Sequence, residues 1–179
     1  MNREEYHNYI SEEVFSGCKT IIVPLRLWRI KKTDPQKLAI YYIRKMQYSN
    51  SKTGKIHSYI TQRLHMKLVQ QFGIHISPNA QIGIGLHLPH PTSIVIGNSV
   101  VIGDHCSIYQ GCTIGGARIG DVKKQNQPTI GDNCVLFSGS MVLGAINVVD
   151  GCTIAANSVL LNNANEPGVY AGSPARKVK

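Results

Sequence analysis

Aliphatic residues recur every six positions from about Ile76 to Leu160. Ile76, Ile82, Leu88 and Ile94 form one run, Ile96, Ile102, Ile108 and Ile114 a second, and Ile130, Leu136, Val142, Val148, Ile154 and Leu160 a third. A period of six is neither the 3.6 of a helix nor the alternation of a strand, so an amphipathic helix and an ordinary hairpin sheet are both excluded here. It marks a repeat: three short strands and three corners make one triangular coil of about eighteen residues, and stacked coils share a narrow core. Glycine often follows the repeating residue, as in Ile82-Gly83, Ile102-Gly103 and Ile130-Gly131. The expectation is that it frees the backbone at a corner. Small residues stand two places before, at Ala80, Cys106, Cys112, Cys134, Ser140, Cys152 and Ser158. The expected fold class is therefore mainly β, a parallel β-helix of hexapeptide repeats.

The rhythm breaks twice. Ile94 and Ile96 are two apart, and Ile114 and Ile130 are sixteen apart, ten beyond a normal step. The second break is an inserted loop at about 116–129. Insertions into repeat proteins concentrate on a binding face, so the loop is read as functional. Four of the five cysteines occupy the small position and none forms a CxxC pair, so they are read as core packing rather than as disulfides or metal ligands. Cys18 stands outside the repeats and receives no role.

Residues 1–72 read as an N-terminal helical segment. Tyr6, Ile10 and Val14 fall at helical spacing between Asn2 and Phe15, with Gly17 as a stop. Asp34-Pro35 reads as a cap with proline in the first turn, opening a helix from Gln36 to Tyr48. A further helix runs from Ile56 to Phe72, with Ile60, Leu64 and Leu68 at four-residue steps. These helices should close the open end of the first coil. Residues 1–72 hold 13 Lys/Arg against 5 Asp/Glu, whereas residues 73–179 hold 6 against 5, so almost all of the net charge of +9 lies in the helices. That charge suits an anionic partner or a solvated set of helix faces; no nucleic-acid motif accompanies it. The start carries no secretory signal and no apolar run is long enough for a transmembrane segment, so a cytoplasmic location is expected.

The segment Leu86-His87-Leu88-Pro89-His90-Pro91-Thr92-Ser93-Ile94-Val95-Ile96-Gly97 resembles the active-site coil of serine acetyltransferases, members of the hexapeptide-repeat acyltransferases. Thr113-Ile114-Gly115-Gly116 and the C-terminal Ala171-Gly172-Ser173-Pro174-Ala175-Arg176 are similar to that family as well. The resemblance covers about residues 73–178. It implies a left-handed coil, against the usual right-handed crossover, and a homotrimer with active sites between subunits. It implies acetyl-CoA as co-substrate, with no metal. The histidine matching the catalytic base is His90. Imidazole titrates near neutrality, so it can take a proton from an attacking hydroxyl and return it to the leaving thiolate. A backbone N–H near Gly115-Gly116 is the candidate donor to the carbonyl oxygen. The positions matching cofactor contacts are Gly116, Ser138, Ala156, Arg176 and Lys179, the last two toward phosphates.

Three positions depart from the family pattern. Pro89 stands where serine acetyltransferases carry an aspartate just before the base, His75 where an aspartate orients it, and Gln127 where a histidine precedes Pro128. An amino-acid substrate brings an ammonium group that wants a carboxylate. The expected acceptor is therefore a sugar hydroxyl of a surface polysaccharide, the activity associated with short relatives, with His75, His87 and Gln127 as substrate-binding candidates. Serine O-acetylation is the alternative. A zinc-dependent carbonic anhydrase-like trimer is a lesser one, needing three converging histidines, and a catalytically inert scaffold is another. No family-type tail follows Val178-Lys179, so no complex with cysteine synthase is expected.

Overall fold

The computed structural model describes residues 1–15 and 23–179. Helix α1 (Arg3–Tyr9) opens with a capping box: the Glu5 N–H donates to the Asn2 side chain, and the Asn2 N–H donates to the Glu5 carboxylate. The helix then widens into a π segment, Ile10–Val14, which buries Ile10 and Val14. The expected stop at Gly17, and Cys18, lie outside the described residues. Helix α2 (Val23–Thr33), with Pro24 at its second position, forms over a stretch for which no element is expected from the sequence. Proline at the second position costs nothing, since that N–H has no helical acceptor in any case. Helix α3 (Pro35–Asn50) begins where expected, with the Asp34 carboxylate accepting from the Lys37 N–H at 2.9 Å. Helix α4 (Lys55–Phe72) ends on Gly73 in a left-handed conformation and buries Leu64 and Leu68.

The remainder visits three parallel sheets in rotation. The first sheet holds β1 (His75–Ile76), β3 (Val95–Ile96), β6 (Thr113–Gly115), β9 (Met141–Leu143) and β12 (Val159–Leu160). The second holds β2 (Gln81–Ile82), β4 (Val101–Ile102), β7 (Thr129–Ile130) and β10 (Asn147–Val148). The third holds β5 (Ser107–Ile108), β8 (Val135–Leu136), β11 (Cys152–Ile154) and β13 (Gly168–Gly172), with β14 (Ala175–Lys177) folded back antiparallel. The chain thus winds as a three-sided coil whose register follows the rhythm. Ile130 pairs with Val148 and Leu136 with Ile154, eighteen residues on. Ile76 pairs with Ile96, twenty on, which absorbs the two-residue slip. Ile102 pairs with Ile130, twenty-eight on, which absorbs the ten-residue excursion.

The repeating aliphatic residues stack in the core, and Cys106, Cys112, Cys134 and Cys152 are buried free thiols, as expected. Each thiol donates to a backbone carbonyl: Cys106 to Gly131, Cys112 to Phe137, Cys134 to Val149 and Cys152 to Glu166. Burial pushes the Cys112 and Cys152 thiols up, away from the reactive thiolate.

The glycine expectation needs correction. Gly83, Gly103 and Gly131 lie outside the left-handed region, and what they supply is space. A β-carbon at each would strike Asp104, Asp132 or Asp150 of the next coil. Those carboxylates use the space to accept backbone N–H groups of the coil below, from Ile84, Asp104 and Asp132 at 2.7–2.9 Å. Left-handed corners fall instead one residue before the small position, at Ser93, Ser99, His105, Asn133 and Asn157, and at the glycines Gly111, Gly139 and Gly151.

The helices are fastened to the first coil through Arg44 of α3, which is fully buried. Its guanidinium donates to both Glu13 carboxylate oxygens, to the Gln47 side chain and to the carbonyls of Ile82 and Gly83. The Leu86 N–H also donates to Glu13, and the Tyr9 ring covers the guanidinium. A buried charge pair persists only when its polar atoms are satisfied in this way.

Candidate active site

The two-residue slip enlarges one corner, between the third sheet and the first. Leu88 and Ile94 remain buried on either side of it, so the extra length bows outward and leaves His90 exposed. The Thr92 N–H donates to the His90 carbonyl at 2.8 Å, and the Gln36 side chain donates to the Pro89 carbonyl at 2.6 Å. The bowed corner is therefore held from within and from α3. The His90 ring meets Tyr109 edge-on at 6.3 Å between centroids, and Tyr109 meets Phe137 at 5.0 Å. Among the described residues the imidazole has no hydrogen-bond partner, so it is oriented by this aromatic column.

Strand pairing places the other candidates. Val135 pairs with both Ser107 and Thr153, so Gln110, Ser138 and Ala156 stack on the His90 corner, one coil apart. Gly116 belongs to the next corner, between the first and second sheets, at the mouth of the inserted loop. Within one chain Gly115 and Gly116 are separated from His90 by the width of the first sheet, so they do not supply its oxyanion donor in cis. Gly116 also has a local use: a β-carbon there would lie 2.7 Å from Cβ of Asp121.

The inserted loop is more ordered than its composition suggests. It contains a short helical turn, α5 (Asp121–Lys124), and Asp121 is buried. The Asp121 carboxylate accepts from the N–H groups of Ala117 and Arg118 and from the Asn126 side chain, at 2.9, 2.7 and 3.2 Å. These bonds, the Asn126 side chain foremost, hold its pKa below the ordinary carboxylate range. The loop thereby delivers Gln127 to a buried position over Gly97 and Gly116. A β-carbon at Gly97 would lie 2.7 Å from its amide oxygen. Neither the amide oxygen nor the amide nitrogen of Gln127 has a partner among the described residues. A buried amide left so costs free energy and calls for a partner.

The histidines divide. His87 is exposed on the third sheet, its Nδ1 3.4 Å from the Ser107 hydroxyl. His75 is exposed on the first sheet and meets His65 of α4 edge-on at 6.3 Å. Burial and the His75 charge hold the His65 pKa down. Sequence reasoning passed over His65, as it passed over Tyr109, Asp121 and Gln36. His105 is exposed, its ring filling the space beside Gly85. Among the described residues no three His, Cys, Asp or Glu side chains group as metal ligands.

Arg176 lines a cleft of about 340 Å³ with Leu160, Asn162, Asn163 and Tyr170. Its neighbour Lys177 is paired with Glu166 at 2.6 Å, and Lys179 is exposed at the last residue. The Arg176 guanidinium donates to the Ala175 carbonyl at 2.9 Å and has no ion pair among the described residues.

No protein-family model matches the chain. It is similar to the serine acetyltransferase of Helicobacter pylori, with 42% identity over 106 residues, 59% of this chain and 61% of that one. A serine acetyltransferase solved in complex with CoA superposes with a TM-score of 0.68 at 29% identity, over 85% of this chain and 66% of that one. Soybean serine acetyltransferase complexed with serine superposes with a TM-score of 0.70 at 26% identity, over 85% and 66%. The chain spans only about a third to three fifths of the length of the curated relatives it matches.

Proposed function

We propose that this chain is an acetyl-CoA-dependent O-acetyltransferase of the serine acetyltransferase kind, working as a homotrimer with a left-handed coil. The observation that carries the reading is the enlarged corner. One two-residue interruption in a regular solenoid exposes His90, above a column that is small at Ser138 and Ala156. His90 takes the proton of an acceptor hydroxyl as its oxygen attacks the thioester carbonyl. The carbon–sulfur bond then breaks, and the same proton passes to the departing thiolate. Gly116, Arg176 and Lys179 would meet acetyl-CoA from a neighbouring subunit's side of the cleft, where Gly115 and Gly116 would also supply the oxyanion donor.

L-Serine is the acceptor that the similar proteins' names support. The comparisons give no support to a sugar acceptor, which retains one argument of its own. Between Pro35 and Gly103 the sequence has no acidic residue, Pro89 replaces the carboxylate that would help hold an amino acid, and His75 replaces the one that would orient the base. Gln127, with an unpartnered donor and an unpartnered acceptor, is suited to a neutral hydroxylated group. Thiol release from acetyl-CoA, measured with L-serine beside a panel of sugars, decides between them. Turnover with serine alone removes the sugar reading, and no release with any hydroxyl acceptor overturns the proposal as a whole.

A further inference from the structure

Between Val23 and Phe72 stand eleven Lys/Arg and one acidic residue, Asp34. Arg44 is consumed by its buried pair with Glu13, and Lys37 lies beside Asp34. Of the others, Arg29, Lys31, Lys32, Lys52, Lys55 and Arg63 are exposed, on helices and a loop that also expose large apolar side chains. On α4, Ile56, Tyr59, Arg63 and Met66 fall within one stripe at 100° per residue, opposite the buried seam of Thr61, Leu64 and Leu68. Ile56 is 74% exposed, Tyr59 58% and Met66 49%. On α2, Trp28 is 56% exposed with Lys32 lying over its ring at 4.3 Å, and Arg63 lies over Tyr59 in the same way. Each ring thus carries a cation one helical turn on.

We infer that these exposed helix stripes seat the protein peripherally on an anionic lipid surface. Each half of the pattern excludes a different alternative. A water-soluble polyanion would use the cations but gives no reason to expose Ile56 and Met66. A second copy of the same face would cover the apolar stripe but would bring like charge against like. A bilayer interface accepts both, with aliphatic and aromatic side chains at the acyl boundary and cations at the headgroups. Among the described residues no helix is long and apolar enough to cross a membrane, so the contact is one of lying on it.

The test is co-sedimentation of the full chain with vesicles of phosphatidylcholine alone or with about one third phosphatidylglycerol. Capture is expected only by the anionic vesicles, and it should be lost in about 0.5 M salt, where screening is short-ranged. The triple variant Ile56→Ser, Tyr59→Ser, Met66→Ser should reduce capture by about tenfold or more. These side chains are exposed, so its thermal melt should match the parent's. Trp28, the only tryptophan in the sequence, gives a second signal, a blue-shifted emission on anionic vesicles. Failure to bind anionic vesicles at low salt overturns the inference. Capture fully retained by the triple variant overturns it too, because charge alone then suffices. A concentration-dependent doubling of mass that the triple variant abolishes also overturns it, making a second copy the occupant. None of these outcomes depends on acetyl transfer.

Discussion

The side-chain amide of Gln36, in the first turn of α3, donates a 2.6 Å hydrogen bond to the carbonyl of Pro89, the residue before His90. The helical segment therefore does more than close the end of the coil: it sets the height of the corner that presents the imidazole. Replacing Gln36 by Ala removes one part-buried hydrogen bond, worth about 1 kcal/mol. If that bond acts by positioning, kcat for acetyl transfer should fall by up to about fivefold with the KM for acetyl-CoA unchanged. A thermal shift with unaltered kcat would leave the bond a purely structural role.

His90→Ala should lower acetyl transfer by about 10²–10⁴-fold, the usual yield of a positioned general base. Because His90 is exposed and its side chain makes no hydrogen bond among the described residues, the thermal melt of the variant should stay with the parent's. Tyr109→Ala tests the orienting column separately. It should lower kcat less than removal of His90 does, and Tyr109→Phe, which keeps the ring, should restore most of the loss.

The coil was legible because its register is written in one chemical property. Each slip in the aliphatic rhythm reappears as a pairing offset, twenty residues at Ile76–Ile96 and twenty-eight at Ile102–Ile130. The helix starts at Asn2 and Asp34 were legible for a similar reason, since capping is a local exchange of hydrogen bonds. What escaped depends on contacts far apart in sequence. Gln36 meets Pro89 across 53 residues and Arg44 meets Glu13 across 31, and no periodicity encodes either. The reason for Gly103 also lay elsewhere, in the Asp132 of the next coil. His90 was found through family resemblance, but its distance from Gly116 across a sheet was not, because motif order says nothing about which corner a motif occupies.

Arg44→Met should be among the most damaging substitutions outside the proposed site. It strands the Glu13 carboxylate and removes donors from the carbonyls of Ile82 and Gly83. Breaking a buried pair from one side costs about 3–5 kcal/mol. The double variant Arg44→Met, Glu13→Leu removes the stranded charge and should recover a large part of that loss. Chemical denaturation of the two single variants and the double one measures the coupling directly.

His65 gives a pH dependence of definite sign. Burial, with the His75 charge as the lesser cause, favours its neutral form in the folded chain, so its folded pKa lies below the unfolded value of about 6.5. Its contribution is therefore fully present above that unfolded value and is lost as pH falls, down through the folded pKa. The contact between α4 and β1 should loosen below about pH 6, seen as faster amide exchange at the end of α4. His65→Gln, which cannot gain the proton, should flatten that dependence; an unchanged profile would assign the acid sensitivity to another group.

Asp121 gives the inserted loop an acid response of the same sign, at lower pH. Its carboxylate accepts from Asn126, Arg118 and Ala117, so its folded pKa lies below the unfolded value. The stabilisation is present above about pH 4 and is lost as pH falls through the lowered folded pKa. At neutral pH, Asp121→Ala should release the loop without unfolding the coil, because the aliphatic stack is untouched. Lys123 and Lys124, exposed but held in the α5 turn, then lie in a released segment, and trypsin cleavage there should accelerate by about tenfold or more while the thermal melt of the coil is kept. Gln127 would lose the support that holds it over Gly97, so acetyl transfer should fall through KM for the acceptor rather than for acetyl-CoA. A variant that resists trypsin as well as the parent does would show that the loop is held by something other than this carboxylate.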